Sequence, residues 1–454
     1  MRKIINIFLF VVLFFSANCA DARIFQSPVD FAKEKAGIKN SAMIAVSFID
    51  VNTGKVKFAQ NEKIPVPVAS VQKIVTLAPS INTLGTNYNF STKLYKSNDK
   101  SVYLKLGADP YLTTKDLRNL FSTLPKYKIT TINKFGIDDS ILDAEIWGEG
   151  WQWDNELNPL MPKFSPYNLN SNVLTLTFSP TTKGNVSEIN QSSFYPLCIQ
   201  NEVMTGAGNS ISLRESQIYS ADVIIANGEV SKDVAVVIPV KYPRRYFVLQ
   251  TQEALDKAKV KYYGEFDRVK IPNKTYLIAE HKSSISLAIP DILKRSNNMV
   301  AETVFKLAGG KYAKTAGNVE DAVSMLKDYY NAQGIDTEGI GVFDGSGVSK
   351  NNLLNAYFVS NVLYKDLSTN SNFHLEENLA APGEGTLSSR MLYFSKNLRA
   401  KTGTLTNVSS IAGYLTTKSG KKYAFCIVIN DANSKSFDKK SFEEYLLRRV
   451  YEIW

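Results

Sequence analysis

Apolar and polar positions alternate most cleanly at the two ends of the chain. From Ala42 to Glu62, "AMIAVSFIDVNTGKVKFAQNE" carries two alternating runs around Asn52-Thr53-Gly54, which predicts a β-hairpin. Pro65 and Pro67 then hold the backbone extended, and "PVASVQKIVT" predicts a helix beginning near Ser70. Pro79 is expected to kink or end that helix. "ISLAIPDILKRSNNMVAETVFKLAGG", from Ile285, has helical spacing and is expected to stop at Gly309-Gly310. "KNLRAKTGTLTNVSSIAGYLTTKSGKKYAFCIVIND" alternates like two strands around a Ser419-Gly420 turn. The stretch from Ser436 to Trp454 reads as an amphipathic helix. Its Phe437, Tyr445, Leu446, Val450 and Trp454 suit packing on the sheet, with peripheral membrane contact as the alternative.

The middle of the chain differs. Between about Asn87 and Val269 the apolar runs are short, turn residues are frequent, and "SVYLKLGADPYL", "SNVLTLTFSP" and "DVAVVIPV" look β. This predicts an α/β (α+β) protein whose helix-flanked sheet is interrupted by a large β-rich insertion of one or two domains. The expected boundaries are 1–22 for a signal peptide, 23–86 with 270–454 for a discontinuous main domain, and 87–269 for the insertion.

Composition sharpens this little. With 454 residues the chain exceeds one ordinary core. A net charge of +10 favours anionic surroundings in general, but no Lys/Arg-dense stripe with interleaved aromatics points to nucleic acid. A solvated basic surface accounts for the charge. The N-terminus is more decisive. Arg2 and Lys3 precede an apolar run from Ile4 to Phe15 and then small residues, the pattern of a secretory signal. That run is short for a membrane span, so cleavage after Ala22 is preferred to a retained anchor. Cys19 raises a lipoprotein alternative, which Ser16-Ala17-Asn18 fits poorly. Beyond it, Cys198 and Cys426 make no disulfide framework, and Cys426 in "YAFCIVIN" reads as an inert core thiol. Only His281 and His374 are present, so a Ser-His-Asp triad or a His-rich metal site has almost no raw material.

Lys73 stands in an apolar helix three residues after Ser70, on the same face. Desolvation there would lower its proton affinity and let a neutral amine take a proton from the serine hydroxyl. Ser-x-x-Lys alone is weak, since Ser97/Lys100, Ser324/Lys327, Ser419/Lys422 and Ser436/Lys439 also match, though in charged or turn-like contexts. Acylation of a serine also needs a proton path and donors for the oxyanion. Ser296 and Asn298 form Ser-x-Asn just ahead of a helix, and Lys401-Thr402-Gly403 lie on a predicted strand, where the glycine would let a substrate backbone lie alongside. Ser-x-Asn also recurs, at Ser80/Asn82, Ser349/Asn351 and Ser368/Asn370, whereas Lys-Thr-Gly occurs once. The specificity lies in the ordered set of three.

With that set, and with "LGADPYLT", "GWQWDNELNPLMPKFSPYNLNSNVLTL", "VFDGSGVSKNNLL", "APGEGTLSSRM" and "RAKTGTLTNVSSIAGYLTT", the chain resembles the class C low-molecular-mass penicillin-binding proteins. These are D-alanyl-D-alanine carboxypeptidases and endopeptidases. The resemblance implies a penicillin-recognising, β-lactamase-like domain with an antiparallel sheet flanked by helices. It implies Ser70 as nucleophile, Lys73 as its base, Ser296 and Asn298 in proton relay and amide holding, and Lys401 supporting that network. Thr402, Gly403, Thr404 and Thr406 would bind substrate, with the N–H groups of Ser70 and Thr404 as oxyanion hole. Lys350 stands where relatives often carry arginine, and with Asp154 or Glu156 would meet the stem-peptide side chain. Asn407 replaces a usual glycine after the Lys-Thr-Gly strand. No metal or organic cofactor is implied. The expected partners are peptidoglycan stem peptides and β-lactams as covalent inhibitors, in the periplasm. A β-lactamase or esterase on the same scaffold is one alternative, and a cell-wall-binding module with residual catalysis another. "DNELN", from Asp154, is similar to a class A β-lactamase segment but precedes Ser296 instead of following it. The glycines of "GIGVFDGSG" read as a tight turn, not a dinucleotide fingerprint.

Overall fold

A computed structural model describes residues 26–216, 223–368 and 373–454. The proposed signal sequence, with Cys19, lies outside them. The chain packs as two compact units. One holds the described residues up to Val71, Asn355–Ser368 and Ala380–Trp454; the other holds Gln72–Leu354 and residues 373–379.

The first unit is built on a five-stranded antiparallel sheet in the order Leu398–Leu405, Val408–Thr416, Lys422–Asn430, Met43–Asp50, Val56–Gln60. The predicted hairpin is present, with Gly54 at φ 68° in its turn. The C-terminal segment makes three strands instead of the two expected. The missed turn is Thr406-Asn407, because Leu405 already pairs with Val408. Asn407 sits at φ 70°, a conformation asparagine tolerates, so it does the work of the glycine it replaces.

Alternation decides what each face of this sheet meets. Ile44, Val46 and Phe48 share a core with Val29 and Ala32 of the helix Pro28–Ala36 and with Phe442, Leu446, Leu447 and Val450 of the helix Ser436–Ile453. The C-terminal helix therefore packs on the sheet as expected, leaving Phe437 77% exposed. Ser47 and Tyr414 face the other way, where their hydroxyls meet the Ser360 hydroxyl and the Leu363 carbonyl of the helix Ala356–Ser368, each at 2.7 Å. Two covered faces explain why "YAFCIVIN" is apolar throughout, and burial pushes the Cys426 thiol far up.

The second unit combines a helical cluster with the β-rich middle. Its helices are Gln72–Leu84, Ile285–Leu293, Asn298–Ala313 and Val319–Ala332. A mixed five-stranded sheet runs Phe266–Arg268, Phe135–Asp138, Val102–Lys105, Asn89–Lys96, Tyr276–Ser284. Of two three-stranded sheets, one pairs the predicted strands Val173–Ser179 and Val234–Pro239 with each other. The helix Pro243–Lys257 was not anticipated. Among the described residues, no helix is long and apolar enough to cross a membrane.

Two helices run on past the residues that could have ended them, for reasons of packing. The segment from Ile285 is two helices, and the second passes through Gly309 and Gly310 to Ala313. A Cβ on Gly309 would lie 2.5 Å from the Ala322 nitrogen and one on Gly310 2.7 Å from the Gly317 Cα, so Gly309 admits the neighbouring helix and Gly310 the loop before it, instead of ending their own helix. Pro79 does not end its helix either, which continues to Leu84. Proline removes the N–H that would bond the carbonyl four residues back, that of Val75. The buried Tyr330 hydroxyl donates to that carbonyl at 2.7 Å. Tyr330→Phe is therefore expected to lose about 1–3 kcal/mol of stability, read in denaturant unfolding, because the Val75 carbonyl is left buried and unpaired.

Candidate active site

In the first unit, Ser70 is the middle residue of the 3₁₀ turn Ala69–Val71. Ala69 just before it is held at φ 51°, a left-handed conformation that costs an alanine roughly 1–2 kcal/mol. The strand Leu398–Leu405 carries Lys401, Thr402, Gly403 and Thr404 at the sheet edge, with Thr406 in the turn beyond. A Cβ on Gly403 would lie 2.7 Å from the Val68 carbonyl oxygen and 3.0 Å from the Ala69 Cβ. The Ser70 turn therefore rests directly on this strand, and the Ser410 hydroxyl fastens it by donating to the Val68 carbonyl at 2.6 Å. Gly403 makes room for that turn.

Alternation puts Lys401 on the same face as Gly403 and hence on the face of the Ser70 turn. Lys401 is fully buried, and its amine donates to the Thr402 carbonyl at 2.7 Å. Thr402 points to the opposite face, its hydroxyl on Thr386 at 2.8 Å. Thr404 and Thr406 are exposed. The Ala400 N–H leaves the sheet edge to reach the Ala380 carbonyl at 2.9 Å. By the two-residue period, the N–H groups of Thr402 and Thr404 leave the same edge.

The second unit supplies Lys73. Its helix follows the Ser70 turn without a break in the chain. The lysine is fully buried, and its amine donates to the Asn298 amide oxygen and the Ser346 carbonyl, both at 2.6 Å. Burial lowers its pKa to about 7, against the opposing pull of Asp344 and then Glu302. Asn298 is the first residue of its helix and also donates to the Leu160 carbonyl at 2.7 Å. Asn297 caps that helix, and Ser296 precedes it at φ 66°.

Lys73 is one rung of a ladder. Gln72, Thr76 and Lys73 donate in turn to the carbonyls of Asp344 (2.6 Å), Gly345 (2.7 Å) and Ser346 (2.6 Å). The N–H groups of that loop go to two buried carboxylates. Glu302 takes Gly345 and Ser346 at 2.8 Å each; Asp344 takes Gly347 at 2.7 Å and Ser349 at 2.6 Å. Asp344 also accepts from the Trp151 indole at 2.8 Å and from Asn352 at 2.8 Å.

Trp151 thereby ties the "GWQWDNE" segment to "DGSGVSKNN". Gly150 confirms the contact, since a Cβ there would lie 2.5 Å from the Ser349 hydroxyl. Asp154 and Lys350, both exposed, belong to these two touching segments. Glu156, the other acidic candidate, is already engaged by Lys163 at 2.6 Å and Lys241 at 3.3 Å. Burial raises its pKa, but the hydrogen bond and charge of Lys163, with Lys241, outweigh that and hold it below the usual carboxylate value.

A model of the D-Ala-D-Ala carboxypeptidase 3 (S13) family matches residues 30–448. The chain belongs to this family. It is 24% identical over 416 residues to the D-alanyl-D-alanine carboxypeptidase DacB of Haemophilus influenzae, covering 85% of this chain and 86% of that protein. It is 24% identical over 420 residues to the D-alanyl-D-alanine carboxypeptidase of an Actinomadura species, covering 86% and 78%. In fold it is similar to the crystal structure of penicillin-binding protein 4 (dacB) from Haemophilus influenzae, with a TM-score of 0.83, 23% identity and coverage of 94% and 100%. A second structure of that protein, complexed with a β-lactam, gives 0.79. This S13 chain is thus a serine peptidase on the penicillin-recognising fold.

Three buried polar residues around Lys73 and its loop escaped the sequence reading: Gln72, Glu302 and Asp344. Glu302 could have been found by the reasoning that found Lys73, because "MVAETVF" places an acid in an apolar helical run. Asp344 gave no such signal, since its loop reads as an ordinary turn.

Proposed function

We propose that the chain is a serine-type D-alanyl-D-alanine carboxypeptidase and D,D-endopeptidase that works through an acyl-enzyme on Ser70. The observation that carries the reading is Lys73, three residues after Ser70 in the chain, fully buried and with its pKa lowered to about 7. A neutral amine there takes the proton as the Ser70 oxygen attacks the D-Ala-D-Ala carbonyl. The N–H groups of Ser70 and Thr404 hold the oxyanion. Collapse expels the leaving amine, which takes up the proton that Lys73 received, passed on through Ser296 while Asn298 holds the substrate amide and Lys401 supports the network, and water then releases the shortened peptide. Gly403 seats the Ser70 turn. The exposed strand edge, with Thr402, Thr404 and Thr406, guides the substrate backbone and its terminal carboxylate.

Asp154 and Lys350 would meet the side chain of the stem peptide, because their segments touch. Lysine offers that side chain a point charge instead of the two-pronged fork of an arginine. β-Lactams would acylate the same serine. We further propose residues 87–269 as an insertion into the catalytic domain formed by 23–86 and 270–454, and export to the periplasm under residues 1–22.

The test is incubation with a fluorescent penicillin, mapping of the labelled residue by mass spectrometry, and assay on a stem-peptide dimer. A stable adduct on Ser70 with release of D-alanine or cleavage of the cross-link is expected. Rapid drug turnover would favour a β-lactamase. An intact drug and an unlabelled, folded protein would favour the binding module.

A further inference from the structure

A buried carboxylate needs a reason, and the second unit has two in one place. Asp344 and Glu302 are both fully buried. Each receives two backbone N–H groups from one short loop, and together they hold those of Gly345, Ser346, Gly347 and Ser349. The same peptide groups present their carbonyls to Gln72, Thr76 and Lys73. The link is covalent at each rung. The Ser346 carbonyl, on which the Lys73 amine rests, belongs to the peptide whose N–H is bonded to Asp344. The Asp344 and Gly345 carbonyls belong to the two peptides whose N–H groups are bonded to Glu302.

We propose that Asp344 and Glu302 are positioning residues for Lys73, fixing through three consecutive peptides the carbonyl that holds its amine. The inference rests on Lys73 as the base for Ser70. A neutral amine has two N–H bonds and one lone pair. Acceptors at Asn298 and Ser346 use the two N–H bonds, so their placement orients the lone pair. Peptides polarised by carboxylates are better acceptors than peptides facing water. Both carboxylates also act on Lys73 through space, and they are the ionisable groups that raise its pKa against burial, Asp344 first. Glu302 is itself pushed up to about 8 by burial and then by Asp344, so it carries only part of its charge near neutrality.

The experiment compares the rate of penicillin acylation against pH in the full chain, in Asp344→Asn, Glu302→Gln and Glu302→Asp. Thermal unfolding of each variant is followed in parallel. In Asp344→Asn the midpoint of the pH profile should fall by about one unit, because a charge that stabilises the lysine ammonium is gone. Glu302→Gln should move it the same way by less. Glu302→Asp keeps the charge but cannot reach both N–H groups, so its midpoint should stay while its rate falls about tenfold. A purely structural role would lower the unfolding temperature without moving any midpoint. A folded Asp344→Asn with the unaltered midpoint overturns the proposal. If that variant does not fold, a Glu302→Asp protein with unaltered rate and midpoint overturns it. Failure of the unaltered chain to label at Ser70 would overturn the parent reading, and this inference with it.

Discussion

Lys73→Met is expected to cut acylation by penicillin at least about a thousandfold, the scale of a lost general base, while leaving a folded protein. Methionine fills a similar volume, so the helix Gln72–Leu84 keeps its packing. The amine is what disappears. In the unaltered chain, acylation should rise with pH through about 7, because the neutral form of Lys73 is the acceptor and the ammonium is not. In the methionine variant the residual rate should lack that inflection.

The same group predicts a stability slope. The folded-state pKa of Lys73 lies near 7 and its ordinary value is 10.5, so between these the unfolded chain binds the extra proton. Stability from this group therefore rises with pH across that window and is lowest below it. Denaturant unfolding between pH 7 and 10 should show a steeper slope for the unaltered chain than for Lys73→Met. Equal slopes, with acylation unimpaired, would mean that Lys73 is a buried structural cation and that another group deprotonates Ser70.

Gly403→Ala is expected to have the next largest effect, through a methyl group alone. The glycine does not sit at positive φ, so backbone strain plays no part. The added carbon would lie 2.3 Å from the Ser410 hydroxyl and 2.7 Å from the Val68 carbonyl oxygen. The hydroxyl cannot simply swing away, because it donates to that same carbonyl. The Ser70 turn must lift from the strand or the strand must bend, at about 1–3 kcal/mol. Because Ser70 lies in that turn, even a shift of about 1 Å should lower acylation on the order of a hundredfold. The check pairs the acylation rate with the unfolding temperature. Unchanged values for both would mean that the turn does not bear on Gly403.

The expectations that held and those that failed separate by the range of the interaction. The hairpin from Met43, the Lys-Thr-Gly strand and the C-terminal helix were readable because alternation and helical spacing register which side of an element is buried. Lys73 was readable because a charge in an apolar run is out of place wherever it occurs. At Pro79 local chemistry allows a kink or an end, and the end is excluded by Tyr330, from another helix, which supplies the donor that the Val75 carbonyl lacks. The Gly309-Gly310 pair was misread for a related reason: a glycine looks the same whether it ends a helix or lets a neighbour approach.

The sequence by itself determined the family resemblance, the order of the three motifs, the apolar setting of Lys73 and the β character of the middle region. Tertiary structure decided what each polar group answers to. It chose Gly403 as the seat of the Ser70 turn, Glu302 and Asp344 as holders of one loop, and the Ser346 carbonyl as the rest for Lys73. The physical reason is that periodicity records only the direction in which a side chain points. A buried hydrogen bond depends on which group, often hundreds of residues away along the chain, arrives within about 3 Å.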